Sequence, residues 1–185
     1  MAEPDRVARC VEAMGRAVEV PVTVKTRIGI DDRDSYGELR HFVQTVANAG
    51  CEVFIVHARK GWLHGLSPKE NREIPPLRYD MVYRLKKNFP NLKIVMNGGI
   101  QTLDQIRQHL RCVDGAMIGR EAYQNPYFLA SMDQVFYGDE RPVLTRHEVL
   151  EQFVAYAEVQ LARGVRLGHL TRHILGLFQK APGAR

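Results

Sequence analysis

No stretch of this sequence approaches eighteen uninterrupted apolar residues, so it offers no membrane-spanning helix. The opening MAEPDRVARCVEAM lacks a basic stretch followed by an apolar one, and the expectation is no secretory leader. Cysteine is scarce. Cys10, Cys51 and Cys112 form no CxxC pair, and an odd, scattered set fits a reduced cytoplasmic protein better than a disulfide framework. No Ser-His-Asp motif, Walker loop or zinc-ligand spacing occurs. His57 and His64 do not make a metal pattern, so no metal is expected. Acidic residues are missing from the end of the chain, where the last is Glu158.

That last absence carries the charge. The chain has 26 Lys and Arg against 21 Asp and Glu. Five of the cations, Arg163, Arg166, Arg172, Lys180 and Arg185, follow Glu158 and leave 21 of each sign before it. A basic end on a neutral body fits a polyanion such as nucleic acid, or else a solvated basic helix face. The remaining composition, 45% apolar and 25% charged, is that of an ordinary globular chain with one sizeable core.

Periodicity gives the architecture. DRVARCVEAMGRAV sets Val7, Cys10, Val11, Met14 and Val18 on one helical stripe. VPVTVKTRIG then reads as a strand, SYGELRHFVQTVANAG as a helix closed by Gly50, and CEVFIVHAR as a strand covered on both faces. A long loop from Lys60 to Leu77 has no period. RYDMVYRLKKNFP is helical, LKIVMNGGI a strand, TLDQIRQHLR a helix capped by Thr102, VDGAMIGREA a fourth strand and NPYFLASMDQVF a helix. Thr145 and Glu148 then open a helix in capping-box spacing, with Val149, Leu150, Phe153, Tyr156 and Ala157 as its stripe, and HLTRHILGLFQK reads as another. Strand–helix alternation with apolar strands predicts a parallel α/β sheet, either doubly wound or part of a (β/α)₈ barrel. A complete barrel takes about 250 residues. The reading adopted is half a TIM barrel followed by a helical appendage.

Function in parallel α/β folds gathers at strand C-terminal ends. Here these ends read KTR, HAR, NGG and GRE. Lys25, inward on its strand, requires a nearby negative charge, from protein or ligand, because an unpaired desolvated lysine is costly. His57 is either a satisfied core histidine or a ligand contact. Asn97, Gly98 and Gly99 lead into the helix at Thr102, and Gly119 and Arg120 follow one strand later; the pair of turns fits a phosphate. In the long loop Lys60, Lys69, Arg72 and Arg78 accompany Trp62, which fits either an RNA backbone with an unstacked base or a polar lid. Cys10 belongs to a core stripe, and Cys51 and Cys112 begin strands at the opposite rim.

The segments VTVKTRIGIDD, FIVHARK, LSPKENREIPPL, NGGI, GREAYQNP and GHLTRHILGLFQKAPGAR resemble the tRNA-dihydrouridine synthases, nearest the A-type bacterial subfamily, in order along nearly the whole chain. The resemblance implies an FMN-containing (β/α)₈ barrel with a C-terminal helical domain. Such an enzyme reduces tRNA uridines to dihydrouridine, with NADPH as reductant, hydride passing from reduced flavin to C6 and a proton from a cysteine to C5. It implies flavin contacts for Lys25 and His57, and phosphate contacts for Asn97, Gly98, Gly99, Gly119 and Arg120. It assigns tRNA contact to Lys69, Arg72 and Arg185, and uridines 20 and 20a of the D-loop as targets. Residues 1–140 would be barrel strands five to eight, and 141–185 part of the helical domain of a cytoplasmic, monomeric enzyme. The acid cysteine of the family lies in an Asn-x-Gly-Cys-Pro motif that this sequence lacks, so the chain alone is expected to be inactive. Another FMN barrel acting on a small molecule, such as a dihydroorotate-dehydrogenase-like enzyme, and a non-catalytic RNA-binding module are the alternatives.

Overall fold

In the computed structural model, residues 1–183 are described. They form two compact units, one spanning Met1–Ile118 and a second that begins at Gly119.

The first unit holds one parallel four-stranded sheet: β1 (Thr23–Arg27), β2 (Val53–His57), β3 (Lys93–Asn97) and β4 (Gly115–Met117). The strands lie side by side in chain order, without reversal. A doubly wound sheet reverses its order at a switch point, whereas a (β/α) barrel adds each strand to the same edge. The sheet is therefore a barrel segment. Right-handed crossovers place the connecting helices on one face. These are α2 (Tyr36–Asn48), α3 (Tyr79–Asn88) and α4 (Leu103–Leu110), preceded by α1 (Pro4–Ala17).

Local signals fix the helix starts. Ser35 accepts from the Glu38 N–H and Glu38 answers at the Ser35 N–H, and Thr102 and Gln105 do the same for α4. Alternation then divides the sheet. Thr26, Phe54, Val56, Ile94 and Met96 face the helices and are buried with Leu39, Phe42, Val43 and Val46 of α2 and Met81, Val82 and Leu85 of α3. The opposite face carries Val53, Ile55, Val95 and Met117, half-buried. The expectation of strands buried on both faces is met on the helix side only.

Two other expectations change. Of the α1 stripe only Val11 is buried; Met14 is 48% exposed, Val18 46%, and Cys10 is exposed. Helix α1 packs chiefly on α2, and only Val11 of the stripe is buried. The fourth strand is three residues long, since Gly115 lies tight against Val95 and helix α5 (Arg120–Gln124) already takes Arg120.

The second unit consists of helices, turns and connecting loops among its described residues, with no strand. After α5 come a 3₁₀ turn at Pro126–Leu129, α6 (Met132–Tyr137), α7 (Arg146–Ala162) and α8 (Leu167–Thr171). The helix expected across 125–136 is thus broken in two. The one expected over 169–180 stops at Thr171 and continues as turns. These turns bring Gly176 onto the Gln124 carbonyl, where an added Cβ would lie at 2.2 Å. Glu121, 8% exposed, accepts from Lys180 at 3.0 Å and Asn125 at 2.9 Å. Arg146 donates to the Leu177 carbonyl at 2.8 Å and stacks on Tyr127.

His109 of α4 is buried, with Nδ1 2.7 Å from the Tyr83 hydroxyl and its ring edge-on to Tyr79 at 4.6 Å. Burial holds its pKa below the ordinary histidine value. The folded state therefore resists a proton that the unfolded chain accepts at about pH 6.5. Stability falls as pH drops from that value through the depressed folded pKa, and is unaffected by this group above it. Melting curves between pH 5 and 7.5 are expected to show a falling midpoint on the acid side that His109→Phe flattens.

Candidate functional site

Strand register stacks the open face into layers. Lys25, Ile55, Val95 and Gly115 form one, and Arg27, His57, Asn97 and Met117 the next, at the C-terminal ends of the strands. Three of the four strand ends expected from sequence, KTR, HAR and NGG, thus meet in one row of neighbours in the first unit, which Met117 completes. Lys25 lies one layer down. Among the described residues it has no hydrogen bond or ion pair. Partial burial, then the Arg27 charge, lower its pKa from the ordinary lysine value. Lys25 is exposed on the open face, so solvent hydrates its charge; the inward, desolvated placement expected from sequence, and with it the need for a nearby negative charge, is corrected by the structure.

Arg27 behaves differently. Its Nη1 donates to the Lys60 carbonyl at 2.7 Å and the Asn71 carbonyl at 2.9 Å, clamping both ends of the long loop. Gly61 is required there, since a Cβ would stand 3.1 Å from Arg27 Cδ. Arg59 donates to the carbonyls of Glu73 and Pro75. Asn71 accepts from the Trp62 N–H at 2.7 Å and donates to the Trp62 and Leu66 carbonyls. Lys60 pairs with Asp34 at 3.0 Å and covers the Trp62 ring at 4.2 Å. The loop is an ordered polar lid. Lys60 and Trp62 hold each other, while Lys69 and Arg72 remain at its surface, on the 3₁₀ turn Glu70–Arg72 and just before it. Partial burial, then Arg72 and Arg59, lower the Arg27 pKa, a sign of how many cations share this rim.

The glycine turn closes the other side. Gly98 (φ +118°) and Gly99 (φ +70°) have backbones that side chains rarely adopt. A Cβ on Gly98 would lie 2.7 Å from the His57 ring, and one on Gly99 2.6 Å from Leu77. The Asn97 side chain donates to the Met117 carbonyl at 2.8 Å. The Asn97 carbonyl accepts from Ala58 N–H at 2.9 Å, and the Gly98 carbonyl from the Tyr79 hydroxyl at 2.7 Å. Among the described residues the N–H groups of Gly98 and Gly99 have no acceptor. Gly98 is buried and Gly99 half-buried, and two such donors leading into the capped start of α4 suit an anion.

Sequence reasoning missed Tyr79, Arg59 and Asn71. Tyr79 looks like a surface residue of a helical first turn, and only the structure places its hydroxyl on the turn. Gly119 and Arg120 are exposed and open the second unit, so they are described apart from the row above. Arg185 lies outside the described residues. Cys51 is buried before β2, with burial pushing its thiol pKa up, and Cys112 is exposed before β4; both are at the N-terminal rim. No helix among the described residues is long and apolar enough to cross a membrane.

The first unit is thus a segment of parallel (β/α) barrel with a cationic strand-end layer and an open glycine turn. Comparison with known proteins gives its family. The family model for dihydrouridine synthase (Dus) matches residues 1–185, and the chain belongs to that family. It is 60% identical over 185 residues to the tRNA-dihydrouridine(20/20a) synthase of Shewanella oneidensis, covering all of this chain and 55% of the relative. It is 59% identical over 186 residues to the protein of the same name from Vibrio cholerae, covering 57% of it, and 58% identical to that of Synechocystis, covering 55%. The chain spans little more than half the length of these curated relatives.

Gly98→Ala is expected to cost about 2–4 kcal/mol, from positive φ plus the clash with His57, read as a shift in urea midpoint. Arg27→Ala removes both carbonyl clamps and is expected to speed proteolysis and amide exchange across residues 60–76. Unchanged loop protection would contradict the clamp.

Proposed function

We propose that this chain supplies the second half of the FMN-holding barrel of a tRNA-dihydrouridine synthase. Residues 1–140 correspond to strands five to eight with their helices, and residues 141–185 to part of the helical tRNA-binding domain. The whole protein would reduce D-loop uridines 20 and 20a in the cytoplasm, acting as a monomer with NADPH as reductant. The observation that carries this reading is the glycine turn one layer above Lys25, whose Gly98 and Gly99 N–H groups have no acceptor among the described residues.

The residues fit flavin mononucleotide. Gly98 and Gly99 present free donors in a turn with no room for side chains, and a phosphate is the acceptor they lack. Asn97 anchors the turn to β4, and Gly119 and Arg120 are assigned to the phosphate as well, on resemblance. Lys25 would face the electron-rich edge of the ring system and His57 its neighbouring edge. When bound, the flavin supplies hydride transfer; the chain's part is to bind it, orient it and balance its charge. The Lys25 charge, with no ion-pair partner among the described residues, would favour an electron-rich, anionic ring. Lys69 and Arg72, on the ordered lid, and Arg185 would meet the tRNA backbone.

Proton delivery to the base is the step this chain does not serve by itself. Cys51 is buried at the N-terminal rim with a thiol disfavoured as a thiolate, and Cys112 shares that rim. Cys10 is exposed on α1. None of the three follows a strand end, so the chain alone is expected to show no turnover of tRNA uridine.

The test is the visible spectrum after adding FMN and gel filtration, on this chain and on the full-length gene product. Flavin retained by the full-length product is expected, and Lys25→Met should weaken its retention about tenfold or more. A full-length product without flavin would defeat the reading and favour an RNA-binding module. Binding of tRNA is expected to fall steeply between 50 and 200 mM salt, as counterion release requires. Flavin with no tRNA affinity would favour a small-molecule oxidoreductase.

A further inference from the structure

The two glycines that leave N–H groups free also leave their peptides free to turn. A Gly-Gly step has no side chain to select among backbone orientations. Something outside the turn must choose, and two hydrogen bonds do so. The peptide unit is planar and trans, so its C=O and N–H point in opposite directions. The Asn97 carbonyl is held by the Ala58 N–H at 2.9 Å, which aims the Gly98 N–H away from Ala58. The Gly98 carbonyl is held by the Tyr79 hydroxyl at 2.7 Å, which aims the Gly99 N–H away from Tyr79. The first latch is backbone and belongs to the strand ladder. The second is a side chain, and it is the only side-chain hydrogen bond to these two peptides among the described residues.

Tyr79 is itself held firmly. It is the first residue of α3, just after Arg78, whose N–H donates to the Ala58 carbonyl at 2.7 Å. Its ring stands edge-on to buried His109 at 4.6 Å, and His109 is tied to Tyr83 at 2.7 Å. Its hydroxyl also lies against Gly99, where a Cβ would stand 3.1 Å away. The latch thus spans α3, the turn, and the helix that follows the turn. Burial keeps the phenol protonated and able to donate.

We infer that Tyr79 is a positioning residue for the phosphate of the flavin mononucleotide: its hydroxyl fixes the Gly98–Gly99 peptide so that the Gly99 N–H is presented to the anion. The inference rests on the flavin reading above and adds a residue that touches no part of the cofactor. It predicts a discrimination effect. A ligand with the ring system but no phosphate does not use the Gly99 N–H, so it is indifferent to the latch.

The experiment compares dissociation constants for FMN and riboflavin, by flavin fluorescence, in the full-length gene product and its Tyr79→Phe variant. The variant keeps the ring and its contact with His109. FMN affinity is expected to fall about five- to tenfold, the worth of one peptide hydrogen bond, while riboflavin affinity stays within about twofold. Incorporation of 3-fluorotyrosine at Tyr79, which keeps the donor and nearly the volume, is expected to keep the wild-type ratio. Equal losses for both ligands would make Tyr79 a packing residue and overturn the inference, as would an unchanged FMN constant. A wild type that binds flavin without preferring FMN over riboflavin would overturn it through the phosphate site. A wild type that binds neither would instead sink the flavin reading on which it rests.

Discussion

Like charges crowd the end of this sheet, and the rest of the first unit is arranged around them. Partial burial, Arg72 and Arg59 each depress the Arg27 pKa, and Arg27 in turn helps depress that of Lys25. Guanidinium groups in such company need acceptors that do not neutralise the site. Backbone carbonyls serve, and a hydrogen bond to a charged group contributes about 1.5–3 kcal/mol. Arg27 takes the carbonyls of Lys60 and Asn71, and Arg59 those of Glu73 and Pro75. Satisfying the cations therefore orders the loop. Lys60 pairs with Asp34, and Lys25, exposed on the open face, has no ion-pair partner among the described residues.

This arrangement separates two tasks that one cationic patch could have confused. The lid is built from charges already spent on backbone. The open layer beneath it keeps one lysine and one glycine turn available. His57 is common to both parts: it neighbours Arg27 in register, and its ring fills the space that a Gly98 side chain would need. The glycine turn and the surface cations Lys69 and Arg72 are the features on which the flavin and tRNA proposals rest.

Much of this was legible before any coordinates. Parity alone placed Lys25 and His57 on one face, and strand–helix alternation gave the parallel sheet. Apolar strands do not reveal whether a sheet reverses; only the pairing of β1, β2, β3 and β4 in sequence order separates barrel from doubly wound sheet. The division of labour between Lys25 and Arg27 was hidden, because it depends on carbonyls 33 and 44 residues away. Tyr79 was hidden for a similar reason, since its partner is a backbone atom with no sequence signature. Cys10 was misread because a stripe at helical spacing states which side is apolar, not whether a neighbour covers it. The helices expected at 125–136 and 169–180 are broken by contacts such as Gly176 on Gln124, which no local propensity encodes.

The central claim is that the strand-end layer of this sheet is the inner wall of a flavin site. A crystal structure of the full-length gene product grown with FMN tests it directly. The account predicts the ring system beside Lys25 and His57, and phosphate oxygens within hydrogen-bond reach of the Gly98 and Gly99 N–H groups. Flavin bound elsewhere, or Lys25 paired with a protein carboxylate and the glycine turn filled by protein acceptors, would contradict it.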